Sequence, residues 1–170
     1  MLRTRQVDNF SFRPATLGDE ADIVRLNAAS VVATSPMDAA RFRMLFKLCR
    51  VVTVAETDDR VVGFLMGLTD GTDYDSVNYR WFAERLKQFF YVDRIVISKE
   101  CRGLGVGTEF YAHAESWAIG AGLLWLAAEM YLDPPNTTSL SFHEKQGFAQ
   151  IGTQQLESGK VVSLQIRPVA

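Results

Sequence analysis

The chain contains no long apolar run, only two cysteines and two histidines, and no surplus of positive charge. No stretch approaches the roughly 18 apolar residues that a membrane-crossing helix needs. The polar opening Met1-Leu2-Arg3-Thr4-Arg5-Gln6 also lacks the apolar core of a signal peptide. Both absences point to the cytoplasm and away from a membrane partner. Cys49 and Cys101 share no metal-ligand spacing, so they read as reduced thiols rather than as a disulfide framework. His113 and His143 have no thiol or carboxylate cluster beside them, and no metal is expected. With 18 Lys and Arg against 20 Asp and Glu, the net charge of -2 gives no field for holding nucleic acid. No repeat, low-complexity tract or Ser/Pro-rich linker divides the sequence, so residues 1–170 are expected to form a single domain.

What is present suits a folded core: 48% hydrophobic and 22% charged residues over 170 positions. Residues 9–13 alternate as a short strand does. Thr16 and Asp19 then cap a helix patterned by Ile23, Leu26 and Ala29, and a second helix follows over 38–48. Runs at 51–55 and 61–68 are β-branched and apolar and read as a hairpin. Residues 69–79 are polar and turn-rich, and 79–86 suit a short helix. A strongly apolar strand over 89–98 leads through a turn into a helix carrying Leu104, Phe110, Tyr111, Ala114, Trp117 and Ala118, stopped by Gly120 and Gly122. A buried strand at 123–130 is broken by Pro134 and Pro135, and a helix over 137–146 ends at Gly147. Strands at 148–154 and 161–166 close the pattern as a second hairpin. The order β-α-α-β-β-(α)-β-α-β-α-β-β predicts an α/β fold, a mixed sheet with helices on it. The closing strand is expected at an exposed edge, where it would allow a homodimer.

Between the strand at 89–98 and its helix lies Arg102-Gly103-Leu104-Gly105-Val106-Gly107, followed by Thr108. Glycines let the backbone approach a phosphate closely, successive N–H groups face the turn, and the first helical turn adds partial positive charge. Arg102 adds a full one. The same residues also suit a plain tight connection. A Walker loop is excluded, because no Lys-Ser or Lys-Thr pair follows the glycines. A dinucleotide fold would place such a unit early in a parallel series, and here it follows a hairpin in the second half.

The turn resembles the pyrophosphate signature of the GCN5-related N-acetyltransferases, the GNAT superfamily: Arg or Gln, two residues, Gly, one residue, then Gly or Ala. A later family signature is also similar: Asn136, Ser139 three on, an aromatic proton donor seven on where His143 stands, and Gly147-Phe148. More narrowly, Tyr91-Val92-Asp93-Arg94 and Leu132-Asp133-Pro134-Pro135-Asn136 resemble a bacterial branch of acetyltransferases. The resemblance implies a mostly antiparallel sheet of about seven strands flanked by helices, with acetyl-CoA as the acyl donor. It implies that the backbone of Ile95, Val96 and Ile97 pairs with the pantetheine arm, with Asn136 also contacting it. Arg102 to Thr108 would hold the pyrophosphate, and His143 would stand where the family usually has a tyrosine.

Acyl transfer to an amine needs an unprotonated nucleophile, donors for the oxyanion and a proton for the leaving thiolate. His143 is the candidate acid, with a hydrogen bond to the cofactor as the alternative. Glu129, set among apolar neighbours in Ala127-Ala128-Glu129-Met130-Tyr131, is the first candidate base. Asp93, sharing parity with Tyr91 and Ile95, is the second; a salt bridge to Arg94 or Arg80 is its bland alternative. Asp73, Tyr74, Asp75, Asn78, Tyr79 and Trp81 suggest an acidic, aromatic loop that receives a cationic amine, or else a solvated cover for a strand end. Cys101 would face the wrong end of the cofactor for catalysis. The reading is N-acetyl transfer to a small-molecule or peptide amine by direct transfer in a ternary complex, since no nucleophile with a paired base is evident. A non-catalytic acyl-CoA sensor is the rival, and a nucleotide-binding regulator a third.

Overall fold

A computed structural model describes residues 9–30 and 34–170; the polar opening Met1 to Gln6 lies outside them. Seven strands form one sheet in the order β1-β2-β3-β4-β5-β7-β6. They are β1 (Ser11–Pro14), β2 (Val51–Thr57), β3 (Arg60–Thr69), β4 (Phe89–Ile97), β5 (Trp125–Asp133), β6 (Ala149–Gln155) and β7 (Val161–Pro168). The helices are α1 (Glu20–Ala28), α2 (Ala39–Leu48), α3 (Val77–Ala83), α4 (Val106–Gly120) and α5 (Thr137–Lys145). Pairings β1–β2, β2–β3, β5–β7 and β6–β7 are antiparallel. The β4–β5 pairing is parallel and joins Phe89, Phe90 and Tyr91 to Trp125, Leu126 and Ala127; β4 continues for six residues beyond it.

Contacts gather the chain into two compact units, one of Met1–Leu68 with Asp93–Ala114, the other of Thr69–Val92 with Glu115–Ala170. The first has its core in Ile23, Leu26, Phe42, Leu45, Val54, Phe64 and Phe110, all buried. Its helices begin where the sequence supplies oxygen acceptors for orphan N–H groups. Thr16 and Asp19 do make the expected capping box, but around a 3-10 turn at Leu17–Asp19, and α1 starts one residue later. The Asp38 carboxylate accepts from Arg41 N at 2.8 Å and starts α2.

The second unit is built on Phe82, Phe89, Phe90, Tyr91, Leu126 and Leu164, each at 0% exposure. Here α3 starts two residues earlier than the apolar pattern predicts. The Ser76 hydroxyl accepts from Tyr79 N at 3.2 Å, which brings Asn78 into the first helical turn. At Gly152 on β6 a Cβ would stand 2.5 Å from the Trp81 ring, so the missing side chain lets α3 pack against the strand. The expected edge position of the closing strand is corrected: β7 is paired on both sides, by β5 and β6, and β6 is the outer strand. The edge argument for a homodimer through 161–166 therefore falls. Among the described residues no helix is long and apolar enough to cross a membrane.

Candidate functional site

In the first unit, β4 ends at Ile97 and a 3-10 turn at Lys99–Cys101 delivers the chain to the glycine turn. Gly103 and Gly105 take φ of +73° and +90°, backbone that side chains resist, which is the local reason for glycine at both. A Cβ at Gly103 would meet nothing within 4 Å, so open space lies over the turn. Val106 and Gly107 open α4, and Glu109 N closes its first turn on Gly105 O at 3.1 Å. Leu104 is half-buried, Thr108 is exposed, and Arg102 folds back so that its Nε donates to Ile97 O at 3.1 Å. The turn and the end of β4 are thereby brought together. Cys101, the last residue of the 3-10 turn, is a buried free thiol.

Asp93, the second candidate base, stands in an ion pair. Arg94 Nε donates to its carboxylate at 2.7 Å, and the two side chains are 5% and 2% exposed. The guanidinium further donates to Asn27 Oδ1 at 3.0 Å, to Ser35 O at 3.1 Å and to Ser35 Oγ at 3.1 Å. The salt-bridge alternative thus describes Asp93, and its partner is Arg94; Arg80 instead donates to Tyr74 O at 3.2 Å.

Glu129, in the second unit, has different company. The Tyr91 hydroxyl donates to its Oε1 at 2.7 Å and Asn78 Nδ2 donates to the same oxygen at 3.2 Å. Gln154 Nε2 donates in turn to Asn78 Oδ1 at 2.9 Å. Tyr91 is fully buried, whereas Glu129, Asn78 and Gln154 are each half-buried. This arrangement unites two residues expected from the sequence, Glu129 and Asn78, with two that sequence reasoning missed in this role, Tyr91 and Gln154. Tyr91 shares the parity of the other candidates along β4, and Gln154 lies on β6 two residues from Gly152, an in-strand glycine that itself signals close approach.

The acidic, aromatic loop needs correction. Tyr74 and Tyr79 are 3% and 2% exposed, and the Tyr79 hydroxyl donates to Thr69 O at 2.8 Å and accepts from Thr72 N at 3.0 Å. These rings are core, because a large aromatic body gains more from burial than from solvent. The Trp81 face already carries the Arg85 guanidinium at 4.1 Å. Only Asp73 and Asp75 of that set are exposed.

Asn136 caps α5, its Oδ1 accepting from Ser139 N at 3.1 Å. One turn on, His143 is 3% exposed, and its Nδ1 lies 2.8 Å from Ser139 O. A carbonyl can only accept, so Nδ1 carries the proton. Burial pushes the imidazole below its ordinary value of 6.5, the Ser139 bond opposing only in part. His143 is therefore neutral near neutrality, held edge-on to Phe148 at 5.2 Å. That suits a hydrogen-bonding group better than the expected acid. Among the described residues no three metal-ligating side chains cluster.

The acetyltransferase (GNAT) family model matches residues 23–148. The chain belongs to this family. The GNAT fold is shared with Ard1 from Thermoplasma volcanium at 17% identity and a TM-score of 0.79, over 95% of this chain and 99% of that one. It is shared with a GNAT-family acetyltransferase from Streptococcus pneumoniae at 20% identity and 0.72, over 95% and 99%. It is shared also with yncA from Salmonella typhimurium, solved with its cofactor acetyl-CoA, at 18% identity and 0.71, over 95% of each. No curated protein sequence matches the chain. Membership of the acetyltransferase (GNAT) family gives the protein acetyl-CoA as its cofactor.

Proposed function

We propose that the chain works as one cytoplasmic acyl-CoA N-acyltransferase domain that transfers acetyl directly to a primary amine, with Glu129 as the general base. The observation that carries this reading is the carboxylate of Glu129, half-buried on β5 and held through one oxygen by two neutral donors. These two donors fix the direction of its Oε1. Such a group attracts an ammonium ion and takes its proton, leaving the amine nucleophilic.

The glycine turn fits a pyrophosphate: Gly103 leaves open space, and α4 begins immediately behind the turn. In this reading Arg102 to Thr108 hold the phosphates, residues 95–97 supply backbone groups to the pantetheine, and Asn136 contributes from the start of α5. Acetyl-CoA supplies an acetyl group activated as a thioester. His143, neutral and committed through Nδ1, orients rather than protonates, so the thiol proton comes from water. The exposed Asp73 and Asp75 add negative charge to the acceptor's surroundings.

One observation favours a second reading, a non-catalytic acyl-CoA sensor: the position where the family usually has a proton-donating tyrosine holds a histidine whose buried ring resists protonation. Calorimetric titration of acetyl-CoA into wild type and Gly105→Glu tests the donor site. Binding at micromolar concentration is expected, with loss of at least tenfold in the variant, because the added side chain meets both the φ of +90° and the phosphate. Absence of binding to the folded wild type would overturn the reading. Binding with no CoA release across amine panels would select the sensor.

A further inference from the structure

The bonds around Glu129 have a direction. A carboxylate accepts and does not donate, so Asn78 must turn its Nδ2 toward Glu129. The Asn78 Oδ1 then faces Gln154, which must answer with Nε2. Two consecutive contacts therefore leave one arrangement of both amides, and in it the Gln154 Oε1 takes no part in the chain of bonds. The reversed arrangement would set Asn78 Oδ1 against Glu129 Oε1, oxygen against oxygen in a half-buried setting, which is costly. The polarity set by the carboxylate is carried to β6 and ends on the Gln154 Oε1.

Packing holds this arrangement in place. Asn78 and Trp81 are three residues apart on α3 and so share a face. The Trp81 ring fills the place that a side chain at Gly152 would occupy, and Gln154 is two positions along β6 from that glycine. Glu129 and Gly152 both pair with Leu164 of β7, so α3 is fitted over one row of the sheet with Asn78 beside Glu129. Gln154, half-buried, is fixed by its amide nitrogen and keeps its carbonyl for another partner.

Resting on Glu129 as the group that receives the amine, we propose that Gln154 is a specificity-determining residue, its carbonyl selecting primary amines that carry a neighbouring N–H donor. Such an acceptor places its ammonium at Glu129 and a second N–H at Gln154. An ester of the same shape offers oxygen where Gln154 also offers oxygen. A free carboxylate adds repulsion from Glu129.

Alaninamide, which offers N–H donors, and alanine methyl ester, which offers an O–CH3 group in their place, serve as probes. Each is titrated calorimetrically into CoA-saturated wild type, Gln154→Met and Asn78→Leu, with thermal melts to verify folding. Wild type is expected to bind the amide about fivefold more tightly than the ester, the worth of one neutral hydrogen bond. In Gln154→Met the ratio falls to about one, and in Asn78→Leu, where the polarity is no longer imposed on Gln154, it falls part of the way. Equal binding of the two probes by wild type, a ratio unchanged in folded Gln154→Met, or no binding of either probe overturns the proposal. Turnover of Glu129→Gln is measured in parallel. Full activity there removes Glu129 as base, while the amide-to-ester ratio still reports on Gln154 by itself.

Discussion

Asp93 on β4 and Glu129 on β5 are both carboxylates among apolar neighbours, and the two units treat them in opposite ways. Asp93 faces a guanidinium whose other donors go to Asn27 and Ser35, and the group is nearly sealed from solvent. Glu129 faces a phenol and an amide and keeps part of its surface. The contrast teaches that the cost of burying a carboxylate can be met in two chemically distinct ways. At Asp93 the bond comes from a permanent cation, and at Glu129 the Oε1 bonds come from a phenol and an amide.

The largest test of that contrast removes the cation. Arg94→Met strands Asp93, Asn27 and Ser35 without the guanidinium, and a loss of about 3–5 kcal/mol in urea unfolding is expected. A loss below about 1 kcal/mol would mean that the pair is not the structural half of the comparison. The functional half is tested by Glu129→Gln, which keeps shape and both hydrogen-bond partners in reach. A fall in kcat/KM on the order of 100-fold is expected, with the melting temperature nearly unchanged. If stability fell and the rate did not, the two carboxylates would have exchanged roles.

The smallest effect sharpens the point with a third buried titratable group. His143 is neutral in the folded protein because burial holds it below 6.5, so the unfolded chain binds the proton first as pH drops. The sign follows: stability is full above about 6.5 and declines as pH falls through the lower folded value. His143→Phe should flatten that part of the stability curve, read from urea midpoints across the acid range. A wild-type curve that rises on acidification would contradict the neutral, Nδ1-protonated ring.

The element order was legible because apolar periodicity and glycine punctuation are local properties of a sequence. The pyrophosphate turn was legible for the same reason: Gly103, Gly105 and Gly107 are consecutive alternate positions. The Asp93–Arg94 pair could be weighed because its members are adjacent. Tyr91 and Glu129, 38 positions apart, could not be joined, nor could Asn78 and Gln154, 76 apart. Their meeting depends on strand register and on where α3 settles. The start of α3 depends on the Ser76 cap, a polar residue in a polar stretch, and apolar periodicity alone leaves Asn78 outside the helix. The polar neighbours of Tyr74 and Tyr79 conceal two core rings. Gly152 was the one local clue to the missed contact, a glycine inside a strand that admits an indole.

The position of β7 has a consequence for the order of assembly. Synthesised after β6, it nonetheless lies between β5 and β6. Until β7 emerges, β6 has no partner in the sheet, and the two must zip together before or while they join β5. Gln154 therefore has no neighbouring strand to hold it beside Asn78 until β7 is made, and a nascent chain stalled before residue 161 would expose an unsatisfied edge on β5 for a chaperone or another chain to occupy.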